Sequence, residues 1–156
     1  TKRFFAVPQL FLGLAFSWGI VMVSAAELNQ INYTSLVLFV SCFFWILAYD
    51  TAYAMSDKED DLKVGLRSSA LTFGNKVLHF FISFHLIALC VWSWLGYELN
   101  LHPLFFLSSL SWAALIIYQY KLIRNYDRHR CFLAFKNNNW VGFSLFNIPK
   151  RRLFIY

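Results

Sequence analysis

The sequence predicts an all-α membrane protein, a polytopic bundle of four to five transmembrane helices. Hydrophobic residues make up 59% of the 156 residues and charged residues only 14%, whereas soluble domains carry roughly 25% charged residues. Four uncharged apolar runs approach the roughly 20 residues that a helix needs to cross a bilayer. The basic residues flank these runs and form no patch, which favours the lipid bilayer as a partner and argues against nucleic acid.

The four runs differ in how clearly their ends are marked. The first covers residues 4–26 and contains Pro8 in its first turns, where proline is tolerated. The fourth begins at Pro103, and proline is favoured in a first helical turn. The second, third and fourth runs cover residues 33–49, 77–97 and 103–120.

A weaker apolar run, residues 140–148, is too short to cross a bilayer and is broken by Asn147 and Pro149. We therefore expect the last segment not to span the membrane. The three asparagines at 137–139 directly before it predict an interfacial turn.

The positive charges indicate an orientation for the predicted spans. In a four-span arrangement, eleven of the 14 Lys and Arg residues fall on one side, and the positive-inside rule makes that side cytoplasmic. These residues are Lys2, Arg3, Lys58, Lys63, Arg67, Lys76, Lys121, Arg124, Arg128, Arg130 and Lys136. The sequence thus predicts a protein of the cytoplasmic membrane.

Five of the eight acidic residues lie in one stretch that follows the second span on the predicted cytoplasmic side. Asp50, Tyr53, Asp57 and Asp61 recur at i, i+3, i+7 and i+11. A helix turns about 100° per residue, so the three aspartates project within roughly 40° of one another, with the tyrosine hydroxyl beside them. The remaining two acids, Glu59 and Asp60, lie off this face.

This spacing favours a cation site. Like charges one turn apart repel each other, and carboxylate oxygens suit Mg²⁺ or Ca²⁺. A pair such as Asp57 and Asp61 fits Mg²⁺, which typically takes one or two carboxylates and completes its shell with water and substrate phosphate. Lys63 and Arg67 follow at positions from which they could bind phosphate oxygens. The plainer interpretation is a solvated acidic segment followed by ordinary membrane-anchoring basic residues.

Residues 49–74, YDTAYAMSDKEDDLKVGLRSSALTFG, resemble the second aspartate-rich motif of the UbiA-type intramembrane prenyltransferases. More narrowly, they are similar to the YDxxYAxxDxxDDxxxGxxS form of the 4-hydroxybenzoate polyprenyltransferases. Three flanking stretches agree with the resemblance, which extends from residue 2 to about residue 143. They are KR at 2–3, PQLFLGLAFSWGI at 8–20 and CFLAFKNNNWVG at 131–142.

The resemblance implies a helical bundle of about nine spans, of which residues 1–156 would form the C-terminal part of a single domain. It implies Mg²⁺-dependent transfer of a polyprenyl group from polyprenyl diphosphate to the ring of 4-hydroxybenzoate, a step of ubiquinone biosynthesis. By position, Asp57 and Asp61 match the Mg²⁺ pair, and Asp50 matches an active-site carboxylate. Lys2 matches a lysine that contacts diphosphate, and Arg67 matches a basic position.

One departure from the family pattern limits these expectations. The first aspartate-rich motif is absent, because no other stretch of the chain contains paired acids. We therefore expect the 156-residue chain to supply one half of the site, to need the N-terminal half of the bundle, and to be inactive alone. Two alternatives remain: a noncatalytic truncated membrane remnant, or a related enzyme with naphthoate, homogentisate or heme as acceptor. Tyr53 is the aromatic residue that the spacing favours as a partner for an allylic cation.

Overall fold

A computed structural model describes residues 7–146 of the chain. In this part every regular element is a helix, and four helical segments are long and apolar enough to cross a membrane. The predicted all-α class and its four spans are thus confirmed. The helices are α1 (Gln9–Leu28), α2 (Tyr33–Val64), α3 (Ser69–Phe73), α4 (Val77–Glu98), α5 (Phe105–Ile123) and α6 (Arg128–Phe146), with a 3₁₀ turn (Gly74–Lys76) before α4.

Helix α2 is the longest element and joins the second span to the acidic stretch. Its 32 residues extend about 48 Å at 1.5 Å per residue, more than the roughly 30 Å of a bilayer's hydrocarbon core. The helix begins after Asn32, whose side chain accepts a hydrogen bond from the backbone N–H of Ser35 at 2.8 Å. The acidic stretch is therefore a continuous extension of a membrane-spanning helix and not a loop.

A glycine ends α2 sharply. Gly65 adopts a left-handed conformation with φ of 69°, which costs little without a Cβ. The backbone N–H of Leu66 donates to the Asp61 carbonyl at 2.8 Å, and that of Gly65 donates to the Leu62 carbonyl at 3.2 Å. This is the Schellman arrangement, and it turns the chain away from the helix axis before Arg67.

Helix α2 lies at the centre of the described bundle, where it packs against α1, α4 and α6. Polar side chains reinforce this packing, as is common where helices meet in a membrane. The Ser41 hydroxyl donates to the Ala88 carbonyl of α4 at 2.9 Å, and the Trp45 indole N–H donates to the Asn138 amide oxygen of α6 at 3.1 Å. Because Asp60 also contacts Arg128, α2 and α6 run antiparallel.

The structure corrects the turn predicted at residues 137–139, which lie within α6. The physical reason is that neighbouring helices supply partners for these amides: Asn137 accepts from Gln119 of α5 at 3.1 Å, and Asn138 accepts from Trp45. Helix α6 is not among the candidate spans of the described part. Since the segment continues past residue 146, beyond the described residues, its failure to span stays a prediction.

Candidate functional site

The residues of the predicted acidic face lie in one continuous helix, so they keep the helical spacing that the sequence predicts. Asp50 and Asp57 are half-buried, and Asp61 is buried with 4% of its surface exposed. Asp57 and Asp61 are one turn apart, which places both carboxylates on the same side of α2. Asp50 lies seven residues before Asp57, about 10 Å nearer the membrane along the helix axis.

Asp57 borders a cleft between α2 and the start of α6, which we call the mouth cleft. Its volume is about 540 Å³, and its lining residues are Tyr53, Ser56, Asp57, Asp127, Arg128, His129 and Phe132. The Tyr53 hydroxyl donates a hydrogen bond to the Asp57 carboxylate, and this contact is the main reason why the pKa of Tyr53 is raised. Both groups lie beyond the apolar run of α2. The structure thus brings Tyr53 and Asp57 together, as their spacing predicted.

Asp60 has a different role from the acids on this face. Its carboxylate accepts a hydrogen bond from the Arg128 guanidinium of α6, and the Lys63 ammonium lies 3.5 Å away. The Arg128 hydrogen bond and charge hold the pKa of Asp60 below its usual value. Asp60 therefore ties α2 to α6 on the exposed outer side of the mouth cleft.

The three basic residues predicted to bind diphosphate have different outcomes. Lys63 is exposed and lies beside Asp60. Arg67 follows the turn at Gly65 and so lies beyond α2, which ends at Val64. Lys2 lies outside the described residues. Contact of any of them with diphosphate stays a prediction.

The carboxylates present fit one part of a magnesium shell. Within residues 7–146, no group of three or more His, Cys, Asp or Glu side chains is placed to hold a metal ion. Asp57 and Asp61 are a pair, and Mg²⁺ commonly takes only one or two carboxylates beside phosphate and water. The donor set of this face therefore suits Mg²⁺ on the condition that a phosphate-bearing substrate or a second group of acids completes the shell.

A second cleft between α2 and α6, which we call the inner cleft, was missed by the sequence reasoning. It has a volume of about 460 Å³ and is lined by Trp45, Tyr49, Phe135, Lys136, Asn138, Asn139 and Gly142. The Phe135 ring joins the two clefts, since its centre lies 5.9 Å from that of Tyr49 and 5.1 Å from that of Tyr53. The sequence feature that could have revealed this cleft is the polar run at 136–139, of which three residues line it.

Comparisons with known proteins all point to one family. The UbiA prenyltransferase family matches residues 1–147. Proteins named 4-hydroxybenzoate octaprenyltransferase are similar to 94% of this chain: one from Paraburkholderia xenovorans at 44% identity, one from Nitrosospira multiformis at 43% and one from Paraburkholderia phymatum at 42%. This chain covers 51%, 50% and 51% of those proteins, respectively.

The chain thus spans about half the length of the curated relatives that it matches. No solved structure matches it significantly. Four apolar helices and a match over nearly the whole chain are consistent with one another, and together they indicate an integral membrane protein. The chain belongs to the UbiA prenyltransferase family.

Proposed function

We propose that the full-length protein transfers a polyprenyl group from polyprenyl diphosphate to the ring of 4-hydroxybenzoate, in a Mg²⁺-dependent reaction of ubiquinone biosynthesis. In this proposal residues 1–156 form the C-terminal part of a bundle of about nine spans and supply the second acidic half of the site. The observation that carries the proposal is the pair Asp57 and Asp61, placed one turn apart on α2, with Asp57 lining the mouth cleft. The names of the relatives support 4-hydroxybenzoate over naphthoate, homogentisate or heme.

In this proposal the two ends of the acidic face have different tasks, and Asp57 and Asp61 form the end that binds the metal and the leaving group. Asp57 and Asp61 would hold Mg²⁺, which when bound would neutralise negative charge on the leaving diphosphate. The allylic C–O bond breaks and its electron pair leaves with the diphosphate. The ring carbon ortho to the hydroxyl then supplies the pair for the new C–C bond, and its hydrogen leaves as a proton.

The rest of the face suits the carbon side of this reaction. Tyr53 lies between the carboxylates and the aromatic wall formed by Tyr49 and Phe135, and aromatic faces attract a nearby cation. Asp50 lies nearer the membrane, so we assign it to the end of the site that holds the ring. Lys2, Lys63 and Arg67 are assigned to diphosphate oxygens that the metal does not reach.

Substitution of the metal pair tests the proposal. In the full-length protein in membranes, Asp57→Ala and Asp61→Ala should each lower prenyl transfer to 4-hydroxybenzoate by at least about 100-fold, because each removes a ligand. Glu59→Gln is the matched control, since Glu59 is exposed and off the acidic face. Full activity in both alanine variants would exclude the metal role, and activity that survives EDTA would exclude Mg²⁺ dependence.

The 156-residue chain alone should be inactive, because it contains one acidic face and the reaction needs a second group of acids. Expression of this chain alone should give no prenylated product, whereas co-expression with the remainder of the full-length protein should restore transfer. Transfer by the isolated chain would refute the half-site proposal. A noncatalytic remnant would remain inactive in both experiments.

We further propose that the acidic end of α2 faces the cytoplasm, supported by the eleven basic residues on that side of the span arrangement. A cysteine placed at Glu59 should react with a membrane-impermeant thiol reagent only in inverted vesicles. A cysteine at Asn100, between α4 and α5, should react only in right-side-out vesicles. A background without the native cysteines is the control, and the reverse pattern would contradict this orientation.

A further inference from the structure

Three consecutive asparagines of α6 have different surroundings. Asn137 accepts a hydrogen bond from Gln119 and so binds α6 to α5. Asn138, with 5% of its surface exposed, accepts from Trp45 and donates to the Ala134 carbonyl at 3.1 Å. The amides of Asn137 and Asn138 are thus occupied by helix packing. Asn139 is exposed and lines the inner cleft.

Lys136 adds a positive charge to the same wall of the cleft. Its side chain is exposed, and its ammonium lies 6.0 Å from the centre of the Phe132 ring. The antiparallel pairing of Tyr53 with Phe135 places Lys136 level with the end of the apolar run of α2. A basic residue at this depth is costly to place unless it has a function or reaches the membrane interface.

The opposite wall of the inner cleft is aromatic. Trp45 and Tyr49 pack edge to face, with ring centres 5.8 Å apart, and Phe135 lies at the end next to the mouth cleft. The Trp45 ring is fixed by its hydrogen bond to Asn138. Gly142 leaves room beside it, because a Cβ there would lie 3.4 Å from the Trp45 ring. Apolar walls with a few convergent polar groups are typical of small-molecule sites.

We propose that the inner cleft binds the aromatic acceptor as an anion, with Lys136 and Asn139 on its carboxylate and Trp45, Tyr49 and Phe135 against its ring. This inference rests on the proposed function, since it assigns a place to the acceptor of that reaction. The ligand class is a planar aromatic acid: the ammonium recognises the charge, the amide donates a hydrogen bond, and the rings hold the flat face.

The position of the cleft is compatible with transfer. Tyr49 lies eight residues before Asp57, about 12 Å along α2, and Tyr53 lies between them. An acid bound with its carboxylate at Lys136 and Asn139 would extend its hydroxyl-bearing edge past Phe135 toward Tyr53. The allylic carbon of a diphosphate held at Asp57 would approach the same place from the mouth cleft.

Direct binding of 4-hydroxybenzoate to the purified full-length protein, measured by calorimetry without diphosphate, tests the assignment. Lys136→Met and Asn139→Ala should each weaken binding at least about tenfold, whereas Lys121→Met, at an exposed lysine of α5, should not. Wild-type protein should bind the neutral 4-hydroxybenzamide at least tenfold more weakly than the acid. In Lys136→Met this preference should disappear, which a purely structural role of the lysine would not produce.

The outcomes separate this inference from the proposed function. If the wild-type protein binds the acid and the Lys136 and Asn139 variants do so equally well, the cleft assignment is wrong even where prenyl transfer occurs. If acid binding depends on both residues but no transfer is detected, the cleft stands and the proposed reaction fails. Gly142→Leu gives an independent check, because its side chain would fill the cleft beside Trp45; unchanged binding in this variant would also overturn the assignment.

Discussion

Replacement of Gly96 by alanine should destabilise the protein, although alanine is the better helix former. Gly96 is buried near the end of α4, where α5 approaches it closely. A Cβ built there would overlap the ring of Phe105, with only 2.5 Å to Cδ1. The ring cannot easily move away, because it is 1% exposed and stacks on Trp92 with ring centres 4.9 Å apart.

Two opposing free-energy terms decide whether Gly96→Ala stabilises or destabilises the protein. Alanine in place of glycine inside a helix contributes roughly 0.5–1 kcal/mol of stability. Overpacking of a close-packed site costs typically about 1–3 kcal/mol, and the overlap at Gly96 is severe enough to place this variant at the upper end. The expected net effect is therefore a loss of about 2 kcal/mol in the free energy of unfolding.

The assay is a denaturant titration of the full-length protein in mixed micelles. Gly19→Ala is the matched control, because Gly19 lies in the membrane-spanning helix α1. Apart from its chain neighbours and its own helix backbone, no atom of the described residues lies within 4 Å of a Cβ built there. This variant should be neutral or slightly stabilising. Phe105→Leu should lower the stability of the wild-type protein but recover part of the loss in Gly96→Ala, since the two sites are coupled. Equal effects of Gly96→Ala and Gly19→Ala would refute the close approach.

Further predictions concern the two polar contacts between α2 and α6. Asn138→Ala should lower the free energy of unfolding by about 0.6–1.7 kcal/mol, the range for hydrogen bonds between membrane helices. A double-mutant cycle with Trp45→Phe should return a coupling of that size, and additive single effects would contradict the bond. Asp60→Asn should leave prenyl transfer intact. Because Arg128 lowers the pKa of Asp60 from 3.8, the stability that Asp60 contributes should be present above that pH and disappear as pH falls through the lowered folded pKa. A wild-type minus Asp60→Asn stability difference that does not change between neutral and acidic pH would exclude this contribution.

The spans and the acidic face were predictable because their signals are local. An uncharged run such as residues 77–97 has to avoid water along its whole length, whatever it packs against. The face of Asp57 and Asp61 follows from helical period alone. The structure keeps this spacing and shows that α2 continues without a break from the predicted span to Val64.

The features that the sequence did not reveal depend on tertiary partners. Polar residues at 137–139 are typical of a turn in isolation, but Gln119 and Trp45 supply partners for two of them inside the bundle. Arg67 follows Lys63 by four residues, but the left-handed Gly65 ends α2 between them. The turn prediction was wrong because hydrogen-bond partners on other helices override a local preference.

The contacts between α2 and α6 explain how one pair of helices can serve both halves of the proposed reaction. The contacts that join them include, in order from the mouth inward, Asp60 with Arg128, Tyr53 with Phe135, and Trp45 with Asn138. The outermost is an exposed ion pair, a class that contributes little and is screened by salt.

The two inner contacts are less sensitive to salt, because they lie in packed aromatic surroundings and neither is an ion pair. They also frame the inner cleft directly, whereas the ion pair lies on the outer side of the mouth cleft. Loss of the outer contact should therefore leave the separation between Asp57 and the aromatic wall unchanged, while loss of the Trp45 bond should free that ring. Raised salt should accordingly mimic Asp60→Asn in stability, and Asn138→Ala should weaken the affinity for aromatic acids at every salt concentration.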